Sequence, residues 1–146
     1  MKNSTMIQYF EWYLPADGKH WDRVKKDAAH LHQIGFDRIW LPPAYKGQSG
    51  SHDVGYGVYD LYDLGEFDQK GTIATKYGTK DAYIQAIQSC HENQLEVIAD
   101  IVFNHRMGAD QTKRFRQKKS TGMIGISPSS PEENVEVWTK FTFPGT

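Results

Sequence analysis

Short apolar runs alternate with helical patterns over the first 103 residues, and this alternation limits the fold more than any other feature of the sequence. The apolar runs are bounded by Gly, Pro, Asn or Asp, which predicts strands. Each stretch between consecutive runs contains a segment with apolar residues at helical spacing. The order βαβαβ is typical of a parallel sheet with helical crossovers, so we predict an α/β fold. The predicted strands are 6–10, 36–41 and 95–103, and the predicted helices are 21–34 and a second that begins after Thr79.

Length and composition exclude several classes of protein. The 146 residues suffice for one domain, but three parallel strands do not complete a barrel of about 250 residues, so we expect the N-terminal portion of a larger protein. With 17 Lys and Arg against 18 Asp and Glu, no net charge favours a nucleic-acid partner. No apolar run reaches the length of a membrane span, and we expect no signal peptide, because the residues before the first strand contain no long apolar run. Because Cys90 is the single cysteine, we expect a cytoplasmic protein, and nothing in the sequence predicts its oligomeric state.

The long connection at 42–78 lacks helical periodicity, yet it is too rich in aromatic residues for disorder. We therefore expect an ordered, functional loop. Tyr56 lies between two glycines, which would present its ring to a ligand, although ordinary loop packing is an equally good interpretation. The loop also carries several carboxylates, which we expect to be mostly solvated or capping. They are Asp53, Asp60, Asp63, Glu66 and Asp68.

Polar side chains crowd the end of the third predicted strand. Asp100 lies within the apolar run, and burial there would require a cation or several hydrogen-bond donors. Asn104 offers an amide oxygen of the kind that Ca²⁺ accepts, and His105 can donate to a ligand hydroxyl. The alternative is that all three residues only cap the strand. The carboxyl ends of parallel strands are where α/β folds bind ligands, which favours the functional interpretation.

The pattern weakens after Asp110. The run 113–119 carries five positive charges, and we expect a solvated loop face there because no nucleic-acid-binding fold accompanies it. Residues 135–143 alternate between apolar and polar, as a strand does.

Several long motifs, in order along the chain, give this sequence a family resemblance. It resembles the bacterial liquefying-type α-amylases of glycoside hydrolase family 13 over nearly its whole length. The motifs are QYFEWY at 8–13, IWLPPAYKG at 39–47, DVGYG at 53–57, DLGEF at 63–67, KYGT at 76–79, DIVFNH at 100–105 and WTKFTFPG at 138–145.

The resemblance implies a (β/α)₈ TIM barrel that hydrolyses internal α-1,4-glucosidic bonds of starch, glycogen or maltodextrins with retention. It implies that 1–106 form the first three strands and two helices of the barrel, and that 107–146 begin an inserted calcium-binding domain. The resemblance also implies roles by position. Tyr56 corresponds to an aromatic platform under the sugar, His105 to a residue that hydrogen-bonds the sugar, and Gln8 and Trp12 to residues near the substrate cleft. Asp100 corresponds to a residue that supports the active site, and Asn104 to a Ca²⁺ ligand.

The resemblance also implies what these 146 residues lack. Retaining hydrolysis needs a nucleophile and an acid/base, two carboxyl groups about 5 to 5.5 Å apart. In the family these follow strands four and five, so we predict no catalytic residue here and no activity of this chain by itself. Three alternatives stay open: another activity of the family, such as a maltogenic or transglycosylating one; a non-catalytic glucan-binding remnant; and a self-contained α/β domain unrelated to sugars.

Overall fold

The computed structural model describes residues 3–118, 120–121, 127–128 and 131–144, which form two contact units. The first comprises the described residues up to 108 together with 143 and 144, and the second those from 109 to 142. The strands of the first unit are β1 (Met6–Gln8), β2 (Arg38–Leu41), β3 (Lys46–Gly47), β4 (Val58–Asp60) and β5 (Glu96–Ala99), and its helices are α1 (His20–Gln33) and α2 (Lys80–Glu92). Those of the second unit are β6 (Gln111–Gln117), β7 (Ser120–Thr121), β8 (Ser127–Pro128) and β9 (Glu133–Lys140).

The first unit contains a three-stranded parallel sheet in the order β1-β2-β5, as the βαβαβ pattern predicted. Both helices pack against each other and contribute to a core that also includes Ile39 and Leu41 of β2. The α2 helix begins at a cap formed by Thr79, whose hydroxyl accepts the backbone N–H of Ala82 at 3.3 Å. In the part of the chain that the structure describes, neither helix has the length and hydropathy to cross a membrane. The core side chains from the helices are Trp21, Val24, Ala28 and Leu31 of α1 and Tyr83, Ala86 and Cys90 of α2.

The apolar run at 95–103 predicts a strand buried on both faces. The observed strand is shorter and none of its residues is fully buried, so that prediction was wrong in both respects. β5 pairs with β2 only as far as Ala99 opposite Leu41, and the last bond runs from the N–H of Asp100 to the carbonyl of Leu41 at 3.3 Å. Pro42 and Pro43 follow β2, and because proline has no N–H the ladder cannot continue past them. Asp100 therefore lies beyond the strand, and it is half-buried.

The connection at 42–78 is ordered, as predicted, and is built around a short antiparallel pair of β3 and β4. Lys46 of β3 is fully buried, and its ammonium group donates to the carbonyls of Phe67 (3.1 Å), Thr72 (2.6 Å) and Ile73 (2.6 Å). The same ammonium lies 3.4 Å from a carboxylate oxygen of Asp63. Burial lowers the pKa of Lys46, an effect that the negative charge of Asp63 opposes.

Asp63 holds the next turn of this connection. Its Oδ1 accepts the backbone N–H groups of Gly65 (2.8 Å), Glu66 (3.0 Å) and Phe67 (3.3 Å). Burial alone would raise the pKa of Asp63, but hydrogen bonds from Glu66, Gly65 and the Gln69 amide, together with Lys46, lower it overall.

The expectation that these carboxylates are mostly solvated or capping is confirmed. Glu66 and Asp68 are exposed, whereas Asp53, Asp60 and Asp63 are buried. They do cap backbone N–H groups, which is what makes their burial tolerable.

The second unit corrects the expectation of a basic loop. Residues 113–117 belong to β6, which pairs antiparallel with β9 from Gln111 opposite Lys140 to Gln117 opposite Glu133. Exposure of the cluster agrees with the prediction, because Arg114 and Arg116 lie on the surface. Arg114 lies 3.7 Å from the carboxylate of Glu136 in β9, and Arg116 lies 3.7 Å from that of Glu132, just before β9. Lys119 lies outside the described residues. The strand predicted at 135–143 is present as β9, which ends earlier.

His20, the first residue of α1, is 2% exposed and is packed among aromatic rings. Its ring centroid lies 5.6 Å from that of Tyr9, 5.4 Å from Trp21 and 5.3 Å from Tyr77. Burial lowers the pKa of His20 to about 4, so the neutral ring is favoured in the folded chain.

We predict that Lys46→Met lowers the free energy of unfolding by about 3 to 5 kcal/mol, because it leaves the buried Asp63 carboxylate without its cation. The matched control is Lys80→Met. Lys80 pairs with Glu66 at 2.7 Å on the surface, and loss of such a pair costs about 0 to 1 kcal/mol. Urea unfolding followed by circular dichroism measures both, and equal losses would contradict the assignment of Lys46 as a buried anchor.

We also predict an acid-sensitive contribution from His20. Since its folded-state pKa lies below the ordinary value of 6.5, the unfolded chain binds the proton more readily, and stability falls as pH drops from about 6.5 toward 4. The free energy of unfolding falls by about 3 kcal/mol over this pH range. Urea midpoints at pH 7 and pH 4 should differ less in His20→Phe than in the wild-type chain. Replacement of the exposed His30 by Asn should leave the difference unchanged, and an unaltered pH dependence in His20→Phe would refute the prediction.

Candidate functional site

The segments that follow β2 and β5 are joined at the carboxyl edge of the parallel sheet. The N–H of Met107 donates to the carbonyl of Val58 at 2.7 Å, and the Lys70 ammonium donates to the carbonyl of Gly108 at 2.6 Å. These bonds tie residues 107 and 108 to the connection at 42–78, and we call the region where the two segments meet the junction. Such a meeting is expected for segments that leave parallel strands at the same edge of a sheet.

Tyr56 lies at the centre of this junction. Its hydroxyl donates to Oδ2 of Asp100 at 2.7 Å, and its ring is parallel to that of Trp12, with 3° between planes and 6.1 Å between centroids. Burial, followed by the hydrogen bond to Asp100, raises the pKa of Tyr56. Tyr56 is half-buried and Trp12 is 59% exposed, so the site presents aromatic surface to solvent.

His105 binds the backbone of the same loop. Its Nε2 lies 2.9 Å from the carbonyl oxygen of Tyr56, and because a carbonyl oxygen can only accept, Nε2 carries the proton. In the neutral ring Nδ1 is then an acceptor, which matches its 3.3 Å contact with the amide nitrogen of Asn104. The structure thus brings His105, Tyr56 and Asn104 together, with the imidazole exposed and its N–H directed to a backbone oxygen.

Asp100 has a different partner from the one its sequence position indicated. Burial of Asp100 would have required a cation or several hydrogen-bond donors, and the structure shows a half-buried carboxylate that accepts a phenol hydroxyl. It braces Tyr56 and makes no ion pair within the residues that the structure describes.

Asn104 by itself does not make a calcium site. Ca²⁺ takes six to eight oxygen ligands, whereas the described residues contain no group of three or more His, Cys, Asp or Glu side chains that could hold a metal ion. Asn104 is exposed, and its amide nitrogen is directed to His105, which leaves Oδ1 as the atom suited to a cation. The residues described here therefore do not fit a complete site, and the ligand role of Asn104 stays a prediction.

Gln8 is the predicted site residue that these contacts do not reach. It is exposed on β1, and its amide donates to the carbonyl of Phe10 at 3.1 Å. Conversely, two residues of the junction were missed by sequence reasoning. Tyr45 is buried and its hydroxyl accepts the N–H of Val102 at 2.8 Å, while Asp53 accepts backbone N–H groups on both sides of Tyr56. The spacing Asp53-Val-Gly-Tyr-Gly was the available signal for a carboxylate that caps the Tyr56 turn.

Comparison with known families decides the classification. The family described as alpha amylase, catalytic domain, matches residues 20–142. The chain belongs to the α-amylase family. The resemblance stated from the motifs is thereby confirmed.

Relatives of this α-amylase family chain match nearly all of it. It is 52% identical to an alpha-amylase of Geobacillus stearothermophilus, over 98% of this chain and 26% of that protein. It is 50% identical to the glucan 1,4-alpha-maltohexaosidase of Bacillus sp. (strain 707), over 98% of this chain and 27% of that protein. It is 44% identical to the cytoplasmic alpha-amylase of Escherichia coli (strain K12), over 99% of this chain and 29% of that protein. The chain thus spans between a quarter and a third of the length of these curated relatives.

Solved structures agree on the fold. A truncated alternansucrase from Leuconostoc mesenteroides NRRL B-1355 superimposes with a TM-score of 0.67 at 20% sequence identity, over 92% of this chain and 11% of that one. Together with the family match, this confirms the predicted fold class of a partial (β/α)₈ barrel. The described strands of this α-amylase family chain form an open sheet, and they do not close a barrel.

We predict that Asp100→Asn lowers the pKa of Tyr56, because the variant loses the carboxylate that accepts the phenol proton and disfavours the phenolate. NMR of ¹³Cζ-labelled tyrosine between pH 7 and 11, with Tyr56→Phe to assign the signal, measures this directly. The exposed Asp68→Asn serves as control and should leave the Tyr56 titration unchanged. A wild-type Tyr56 signal that titrates within this pH range, at the same pH as in Asp100→Asn, would show that the phenol does not bind Asp100 in solution.

Proposed function

We propose that this chain is part of an α-amylase that hydrolyses internal α-1,4-glucosidic bonds of starch, glycogen or maltodextrins with retention of configuration. The observation that carries the proposal is the high identity to α-amylases over at least 98% of the chain. The geometry of the junction agrees with a neutral polyol ligand, since it offers aromatic faces and hydrogen-bonding groups and no pair of free carboxylates.

In this proposal the chain binds sugar and does not cut it. Tyr56 and Trp12 supply faces for a pyranose ring, His105 and Gln8 supply hydrogen-bonding groups near its edge, and Asp100 keeps Tyr56 in place. The nucleophile and the acid/base would come from other strands of a complete barrel, so these 146 residues alone should not hydrolyse starch.

Calcium, compartment and partners belong to the proposal as well. Asn104 would supply one oxygen to a Ca²⁺ ion. The barrel portion is proposed to comprise 1–106, and the inserted domain is proposed to begin at 107. The name of the Escherichia coli relative supports a cytoplasmic location. The partner is a glucan, and neither a nucleic acid nor a membrane is proposed.

A second activity is favoured by one comparison. The relative from Bacillus sp. (strain 707) is named a glucan 1,4-alpha-maltohexaosidase and is as similar to this chain as other relatives are. An enzyme that releases mainly one maltooligosaccharide is therefore the alternative. Chromatography of the products that a protein containing this chain releases from starch would distinguish it from an α-amylase that yields mixed lengths.

We predict that the 146-residue chain binds maltoheptaose but releases no reducing ends from soluble starch. Isothermal titration calorimetry and a reducing-end assay measure the two properties. Tyr56→Ala should weaken binding about two- to tenfold, since loss of one aromatic contact is worth about 0.5 to 1.5 kcal/mol.

The matched control is Tyr62→Ala, which removes an 83% exposed tyrosine of the same loop and should leave the affinity unchanged. Starch hydrolysis that persists through further purification would overturn the assignment of this chain as a binding portion. Equal affinity in both variants would exclude Tyr56 as the platform.

A further inference from the structure

Tyr56 owes its position to one buried carboxylate. Asp53 is 8% exposed, and its Oδ1 accepts the N–H of Gly55 at 2.8 Å and that of Gly57 at 3.2 Å. Its Oδ2 accepts the N–H of Ser49 at 3.1 Å. The two residues that flank Tyr56 are therefore bonded to the same oxygen atom, which fixes the backbone on both sides of the ring.

The space around this carboxylate admits only glycine on two sides. A Cβ atom on Gly47 would lie 2.1 Å from Cγ of Asp53, and one on Gly57 would lie 2.5 Å from its Oδ2. Gly55 has φ +97°, and a Cβ atom there would lie 2.6 Å from Cβ of Pro43. The turn is thus packed closely against both Asp53 and the residues that follow β2.

Two groups of the site depend on this turn. The Tyr56 hydroxyl reaches Asp100, and the Tyr56 carbonyl accepts the N–H of His105. A change in the backbone between Gly55 and Gly57 would move the ring and the carbonyl together. Asp53 itself is directed to backbone groups and has no described contact with Trp12 or His105, so any influence on a ligand passes through Tyr56.

We propose that Asp53 is a positioning residue for glucan binding, one that sets the Tyr56 ring and the His105 imidazole in their places by holding the Gly55–Gly57 turn. The proposal rests on the proposed function for its ligand, a neutral α-glucan. It extends that function to a residue that would not touch the sugar.

The test uses the 146-residue chain and four variants. Asp53→Ala removes all three hydrogen bonds, whereas Asp53→Asn keeps one oxygen that can accept from Gly55 and Gly57, so it should rescue the position of Tyr56. Gly57→Ala leaves Asp53 in the sequence but places a methyl group 2.5 Å from its Oδ2, so the carboxylate or the turn must shift. Ile87→Ala, in α2, removes part of a half-buried side chain packed against the core and is the control for a general loss of stability.

The first measurement is independent of any ligand. By ¹³Cζ-tyrosine NMR, Tyr56 should stay protonated to pH 11 in the wild-type chain, in Asp53→Asn and in Ile87→Ala. In Asp53→Ala and Gly57→Ala it should titrate near the ordinary tyrosine value of about 10, because the ring has left Asp100. If Asp53→Ala does not fold, Gly57→Ala decides. A Tyr56 titration that matches the wild-type one in a folded Asp53→Ala or Gly57→Ala variant would overturn the proposal.

The second measurement is the affinity for maltoheptaose of the folded protein. We expect a loss of about tenfold or more in Asp53→Ala and Gly57→Ala, and less than threefold in Asp53→Asn and Ile87→Ala. Wild-type affinity in a folded Asp53→Ala or Gly57→Ala variant would overturn the proposal. If the wild-type chain itself does not bind maltoheptaose, the sugar-binding function fails, whereas the tyrosine titration still decides whether Asp53 positions Tyr56.

Discussion

Buried side chains that bond to backbone groups hold the connection between β2 and α2 in one conformation, and the site depends on that conformation. A loop packed against a sheet must satisfy N–H and C=O groups that neither a helix nor a ladder serves. Asp53 and Asp63 each accept three backbone N–H groups, and Lys46 donates to three carbonyls. Fixed charges thus replace regular secondary structure as the source of order in this region.

The same bonds explain how a loop residue can serve as a fixed platform. Tyr56 is anchored on its backbone by Asp53 and at its hydroxyl by Asp100, which comes from the segment after β5. That segment is in turn bonded to β4 through Met107 and to the loop through Lys70. Since each segment fixes the other, the aromatic surface is organised before any ligand arrives, which lowers the entropic cost of binding.

The sequence predicted the helices well and the strand ends poorly, for a physical reason. Helical periodicity is local, and the predicted 21–34 differs from α1 by one residue at each end. The end of β5, by contrast, is set by Pro42, which follows the neighbouring strand, and no pattern within 95–103 reveals it. Burial of Asp53 and Asp63 was likewise hidden, because the spacing that signals a capping carboxylate does not show whether that carboxylate is buried or solvated.

The reactive groups of the stretch from Asp100 to His105 already have partners, which suits the proposed role in binding and not a role in catalysis. The Asp100 carboxylate accepts the Tyr56 hydroxyl, and the proton of His105 is directed to a carbonyl oxygen. A general acid or base needs an accessible lone pair or proton at the reacting atom, and a nucleophile needs an unblocked oxygen. These groups instead stiffen one another, so their contribution to an α-amylase would be the placement of a sugar ring, with the bond-breaking carboxylates supplied from other strands of the barrel.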